Sequence, residues 1–155
     1  MSFLSHLQGR TFPAHKFRVE QGKIAEFARA VKTADPLHAN SDAAAAAGLR
    51  GTLAPPTFST ASSFTMPPES FPGSAFDLRL VLAGGGEWEY LHPVVAGDEL
   101  MVSSVVESVQ EKVGSRGPMA VIRVRTGFER QGVLVLLYTS TILHFTPAEE
   151  MEEAV

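Results

Sequence analysis

The sequence predicts an α+β domain: a curved antiparallel β-sheet wrapped around one central α-helix. Three observations carry this. Near the start, Ile24, Phe27, Ala28 and Val31 recur at helical spacing, which gives an amphipathic helix. From Phe76 to Phe145 the pattern changes to apolar-rich or alternating runs broken by glycine and polar turns, as in successive strands. Between them lies Thr57–Met66, bracketed by Pro55-Pro56 and Pro67-Pro68. One strand, then helices, then a run of antiparallel strands is an α+β order, and a curved sheet around one buried helix satisfies it.

The elements follow in order. Phe17 to Glu20 alternates apolar and polar, a short strand, and Gly22 breaks it. The helix over Lys23–Lys32 ends before Pro36, because proline pushes Asp35 out of helical geometry. Asn40 or Ser41 can cap a helical turn over Asp42–Ala47, with Gly48 closing it. Pro55-Pro56 cannot continue a helix but suits the first turn of a new one, so Thr57–Met66 is the central helix. Glu69 to Ala75 is a turn-rich loop.

The strands come next. Phe76 to Ala83 is a strand that Gly84-Gly85-Gly86 punctuates, and Trp88 to Leu91 resumes it. Leu100–Val109 and Met119–Phe128 are strands separated by a turn over Lys112–Pro118. Glu129–Gly132 turns the chain into Val133–Phe145, whose nearly continuous apolar run suggests burial on both faces. The domain is expected over residues 1–146, with residues 147–155 an acidic tail carrying four glutamates. A sheet of this kind leaves an edge strand unpaired, and pairing with a second chain covers it.

Composition narrows the function. A chain of 155 residues, 45% hydrophobic, is the size of one domain with a real core. Net charge of −4 without a basic cluster argues against nucleic acid and anionic membrane surfaces. No run of ~18 apolar residues spans a membrane, and no secretory leader is visible, so the expected location is cytoplasmic. Without cysteine there is no disulfide, thiol nucleophile or thiolate site. Histidines and carboxylates nowhere take metal-ligand spacing, and no metal or cofactor is expected. Gly84–Gly86 lacks the context of a phosphate loop and reads as a bulge or flexible corner.

Three segments carry chemistry. His38 follows Asp35-Pro36-Leu37; Ala54-Pro55-Pro56-Thr57-Phe58 comes next; Pro93-Val94-Val95-Ala96-Gly97-Asp98-Glu99-Leu100 opens the β-rich part. In this order and spacing they resemble the MaoC-like hydratase/dehydratase family of hot-dog proteins, most closely its fatty-acid-synthase-type dehydratase branch. The resemblance spans roughly residues 15–145 and implies a single hot-dog domain acting on acyl-CoA or acyl-ACP (acyl carrier protein) thioesters.

In that family the motif reads Asp, any residue, Asn, Pro, hydrophobic, His; the aspartate and histidine activate water for addition to an enoyl thioester. Here His38 takes the histidine position, Asp35 the asparagine position and Thr33 the catalytic aspartate position. Threonine cannot serve as a base near neutral pH. Asp35 is a substitute carboxylate two residues along. The family's second motif, a His-Gly pair whose glycine N–H holds the thioester oxygen, falls on Pro55-Pro56. Pro56 has no N–H, and the Thr57 N–H is the substitute donor. Phe58 and Phe64, with Met66 and Phe71, are candidate walls of an acyl tunnel.

The resemblance therefore implies the substrate-pocket subunit of a heterodimeric (3R)-hydroxyacyl-ACP dehydratase, with a catalytic MaoC-like partner subunit supplying the intact pair. Two alternatives stay open: a homodimeric hydratase using His38, and a non-catalytic acyl-thioester binding protein. Structural readings stand beside these. His38 is also read as a hydrogen-bonded loop residue, Gly97-Asp98 as a turn, and Trp88 and Tyr90 as sheet packing.

Overall fold

The computed structural model describes residues 4–146. The expected acidic tail lies outside the described residues. Five strands form one antiparallel sheet: β1 (Thr11–Arg18), β2 (Val81–Tyr90), β3 (Glu99–Gly114), β4 (Gly117–Arg130) and β5 (Val133–Phe145). Their order is β1-β3-β4-β5-β2, so β1 and β2 are the edges. β1 begins six residues earlier than the alternation suggested. It carries Pro13, and its register with β3 shifts between Phe12 and His15. Proline cannot donate to a ladder and is tolerated at an edge or bulge.

The hairpins explain the register. Gln131 and Gly132 both have positive φ, 51° and 79°, which matches the twist of the strands flanking a two-residue turn. Only Ser115 and Arg116 separate β3 from β4. On β3 and β4 the buried positions alternate strictly from Leu100 to Val106 and from Ala120 to Phe128. These residues form the concave face and carry the core.

Two helices border it. α1 (Gln21–Ala30) buries Ile24 and Ala28, and Gly22 sits in its first turn rather than ahead of it. Lys32 adopts φ 58° just past the end. Thr33 N–H then bonds Ala28 O and Lys32 N–H bonds Arg29 O, the pair of bonds that closes a helix through a left-handed residue. In α2 (Ser41–Ala46), Asn40 Oδ1 accepts from Asp42 and Ala43 N–H at 2.9 and 3.0 Å. Gly48, φ 79°, ends it, with Leu49 N–H on Ala44 O.

The central helix departs from expectation. It spans Phe58–Phe64 and winds as a 3-10 helix, not an α-helix. Its hydroxyls supply the reason. Thr60 Oγ1 donates to Thr57 O and Ser63 Oγ to Thr60 O, both at 2.8 Å, and Thr65 Oγ1 donates to Ser62 O at 3.3 Å. Each bond reaches three residues back and favours the tighter winding. Phe58 anchors the helix in the core, its ring 5.9 Å from Phe17 and 5.6 Å from Phe27.

Two further expectations are corrected. Phe76–Ala83 is not a strand throughout: Asp77 Oδ1 caps Arg79 N–H at 3.0 Å and starts a 3-10 turn, Leu78–Leu80, so β2 begins only at Val81. β5 has the predicted bounds but is not buried on both faces; most of its residues are half-buried, because no layer covers its convex side among the described residues. The glycine run does bulge, with a register shift between Ala83 and Gly85.

Candidate functional site

The His38 motif is built by two helix ends. The closing turn of α1 fixes Thr33, whose Oγ1 accepts a long 3.4 Å bond from Asp35 N–H. Asp35 caps the 3-10 turn Pro36–His38, its Oδ1 accepting from Leu37 N–H at 3.0 Å. Its carboxylate is thus engaged with the backbone and is not hydrogen-bonded to His38. His38 is buried, 5% exposed. Its Nδ1 lies 2.7 Å from Leu53 O, so in the neutral ring Nδ1 carries the proton and Nε2 carries the lone pair.

The second segment starts the central helix. Pro56 O accepts from the Tyr90 hydroxyl at 2.7 Å, and burial pushes the Tyr90 phenol up to about 12, which keeps it a donor. Thr57 N–H meets no backbone acceptor among the described residues, as the first residue of a helix often does not. Trp88 Nε1 donates to Ser59 Oγ at 3.0 Å and ties β2 to the central helix.

Between the central helix and the sheet lies a cavity of about 280 Å³. Its wall is mainly apolar, with Met66, Phe71, Phe76, Leu78 and Phe128. Of the candidates for an acyl tunnel, Met66 and Phe71 therefore line it. Phe58 and Phe64 line a second cavity instead, about 360 Å³, between α1 and the central helix. Phe64 is 89% exposed. Pro56, Thr57, Asp35 and His38 line neither.

Sequence reasoning missed the polar floor of the first cavity. Ser104, Thr126 and Tyr138 lie on one rung across β3, β4 and β5, with Trp88 of β2 next in line. Ser104 Oγ and Thr126 Oγ1 are 2.8 Å apart and both buried. Burial raises the Tyr138 phenol, against a smaller lowering by a hydrogen bond from Ser140. The rung separates two hydrophobic clusters. One holds Phe17, Phe58, Val102 and Phe128; the other holds Phe12, Phe76, Val106 and Val124.

Asp98 was also underread as a turn residue. Its carboxylate is almost completely buried and accepts from Arg50 Nη2 at 2.9 Å, Arg130 Nη1 at 2.8 Å and Val95 N–H at 3.0 Å. The turn is there too, with Gly97 at φ 93°. This clamp fastens the loop ahead of β3 to β4 and to the segment after α2. Among the described residues no three His, Cys, Asp or Glu side chains converge as a metal site, and no helix is long and apolar enough to cross a membrane.

The family described as FAS1-like, dehydratase domain region, matches residues 6–137. A UPF0336 protein of Streptomyces coelicolor is 34% identical over 118 residues, which are 74% of this chain and 79% of the relative. A MaoC-like dehydratase superposes with a TM-score of 0.81 at 27% identity over 95% of this chain, which spans only 44% of that longer one. The C-terminally truncated HadBC (3R-hydroxyacyl-ACP dehydratase) complex of Mycobacterium tuberculosis superposes with a TM-score of 0.76 at 26% identity, covering 88% of this chain and 96% of the other.

Proposed function

The chain belongs to the FAS1-like dehydratase family of MaoC-like hot-dog proteins, and on that premise we propose that it is the substrate-pocket subunit of an (R)-specific enoyl hydratase or 3-hydroxyacyl thioester dehydratase. The observation that carries this reading is the separation of pocket from base. A largely apolar cavity of about 280 Å³ lies under the central helix, yet among the described residues no carboxylate is hydrogen-bonded to His38. Threonine holds position 33, the Asp35 carboxylate caps Leu37 N–H, and His38 Nδ1 is held by Leu53 O. A histidine without a carboxylate partner is a weak device for activating water. The catalytic pair then comes from a second MaoC-like chain, and this one houses the acyl group of a CoA or ACP thioester.

A homodimeric hydratase is the second reading, favoured by two details. His38 Nε2 keeps a lone pair while Leu53 O fixes the ring, and the Thr57 N–H is unengaged by backbone and available to a thioester oxygen.

The test is hydration of short and long trans-2-enoyl-CoA, followed as loss of the conjugated thioester absorbance. The folded chain alone should be silent, and a MaoC-like subunit with an intact Asp…His pair should restore turnover. Turnover by the chain alone, abolished in a folded His38→Ala variant, would establish the second reading instead.

A further inference from the structure

The floor of the cavity beneath the central helix holds a hydrogen that nothing among the described residues receives. A hydroxyl offers one donor and two acceptor sites. Ser104 and Thr126 bond each other at 2.8 Å, which uses one of their two O–H hydrogens. The other has no acceptor among the described residues. Both side chains line the cavity, and they are only 7% and 9% exposed. The remaining hydroxyls around the wall are differently placed. Thr60 and Ser63 donate to carbonyls of their own helix and Ser140 reaches Val124 O, while Ser59, which accepts from Trp88, and Ser62 sit on the central helix rather than on the sheet.

Stability does not account for the pair. Their strand neighbours on the same face, Val102, Val106, Val124 and Phe128, are all apolar and buried. Replacing both partners of a buried hydrogen bond by apolar groups of the same shape is close to neutral, whereas an unmet buried donor is unfavourable. An acceptor arriving with the ligand removes that penalty.

We propose that the Ser104–Thr126 pair recognises an oxygen carried part-way along the chain bound in this cavity, so that the site prefers oxygenated acyl groups to plain alkyl ones. The oxygen is an acceptor: a ketone, hydroxyl or ether. Placed on the rung between the two hydrophobic clusters, the pair meets the ligand at one depth, with apolar contacts on either side. This rests on the acyl-pocket reading above.

Trp88, the chain's one tryptophan, stacks on Tyr138, which lines the cavity, so its fluorescence reports binding. The experiment titrates the chain with a saturated straight-chain acyl-CoA and with isosteres in which successive methylenes beyond the third carbon become ketones. One ketone position should bind about three- to tenfold tighter than the plain chain, the worth of one net hydrogen bond. The double variant Ser104→Ala/Thr126→Val should lose that preference, binding ketone and plain chains alike. Equal binding of all probes, or a preference that survives in the double variant, overturns the recognition while leaving the acyl pocket intact. Binding of none of the probes, in a chain with an unchanged melting curve, removes the acyl-pocket reading and the recognition with it.

Discussion

Trp88 lies on Tyr138 with ring centroids 4.6 Å apart and planes 20° from parallel. The stack forms because Gly86 leaves room. A Cβ there would come 2.6 Å from Trp88 Cη2 and 3.1 Å from Tyr138 Cε2. Gly86→Ala should therefore unseat Trp88, break its bond to Ser59 and cost about 1–3 kcal/mol by overpacking. Near-ultraviolet circular dichroism and thermal melting read both effects; an unchanged tryptophan band would refute the packing argument.

Asp98 gives the largest single loss. Asp98→Ala removes the acceptor shared by Arg50, Arg130 and Val95 N–H. Breaking a buried charge cluster by deleting one partner costs about 3–5 kcal/mol. Between the arginines, Arg130→Ala should cost more than Arg50→Ala, since their side chains are 24% and 66% exposed. Denaturant midpoints rank the three variants, and the opposite order of the two arginines would contradict the clamp as described.

His15 sets an acid limit. Its ring is buried on β1, neither nitrogen has a hydrogen-bond partner among the described residues, and burial lowers its pKa from the ordinary 6.5. The unfolded chain then binds the proton more readily than the folded one below that value. This contribution to stability is complete above about pH 6.5 and is lost as pH falls toward the lowered folded value. His15→Phe should flatten that part of the profile. Melting temperatures of both proteins across the acid range check it, and parallel curves would exclude His15 as the source.

His38 separates support from chemistry. His38→Ala leaves Leu53 O without its side-chain donor, a loss of about 1–3 kcal/mol. In a complex with a catalytic partner, turnover per folded molecule should stay within about twofold of the parent. A kcat that collapses while the melting curve holds would move His38 into the reaction.

Much of the fold was legible because it depends on alternation and punctuation. β5 was readable to the residue, since its apolar run is flanked by Gly132 and Pro147. The glycine run read as a bulge or flexible corner, and it is a bulge. The central helix read correctly in place but not in winding, because a hydroxyl three residues after a carbonyl is a local bond that apolar periodicity does not register. The motif positions were all visible. What they touch was not: the engagement of Asp35 with Leu37 and of His38 with Leu53 depends on a turn and on a neighbour fifteen residues away. The Ser104–Thr126 pair left a signal, a polar residue at the inward parity of each of two apolar strands. Its meaning needed the strand register.

The two edges of the sheet differ in a way that sets how many chains can join. β1 carries Pro13 and a break in register, whereas β2 presents ten exposed or half-exposed residues without a proline. One edge is closed to a further strand and the other is open. Pairing along β2 alone would join two chains and leave only blunted edges, which favours a pair over a fibre.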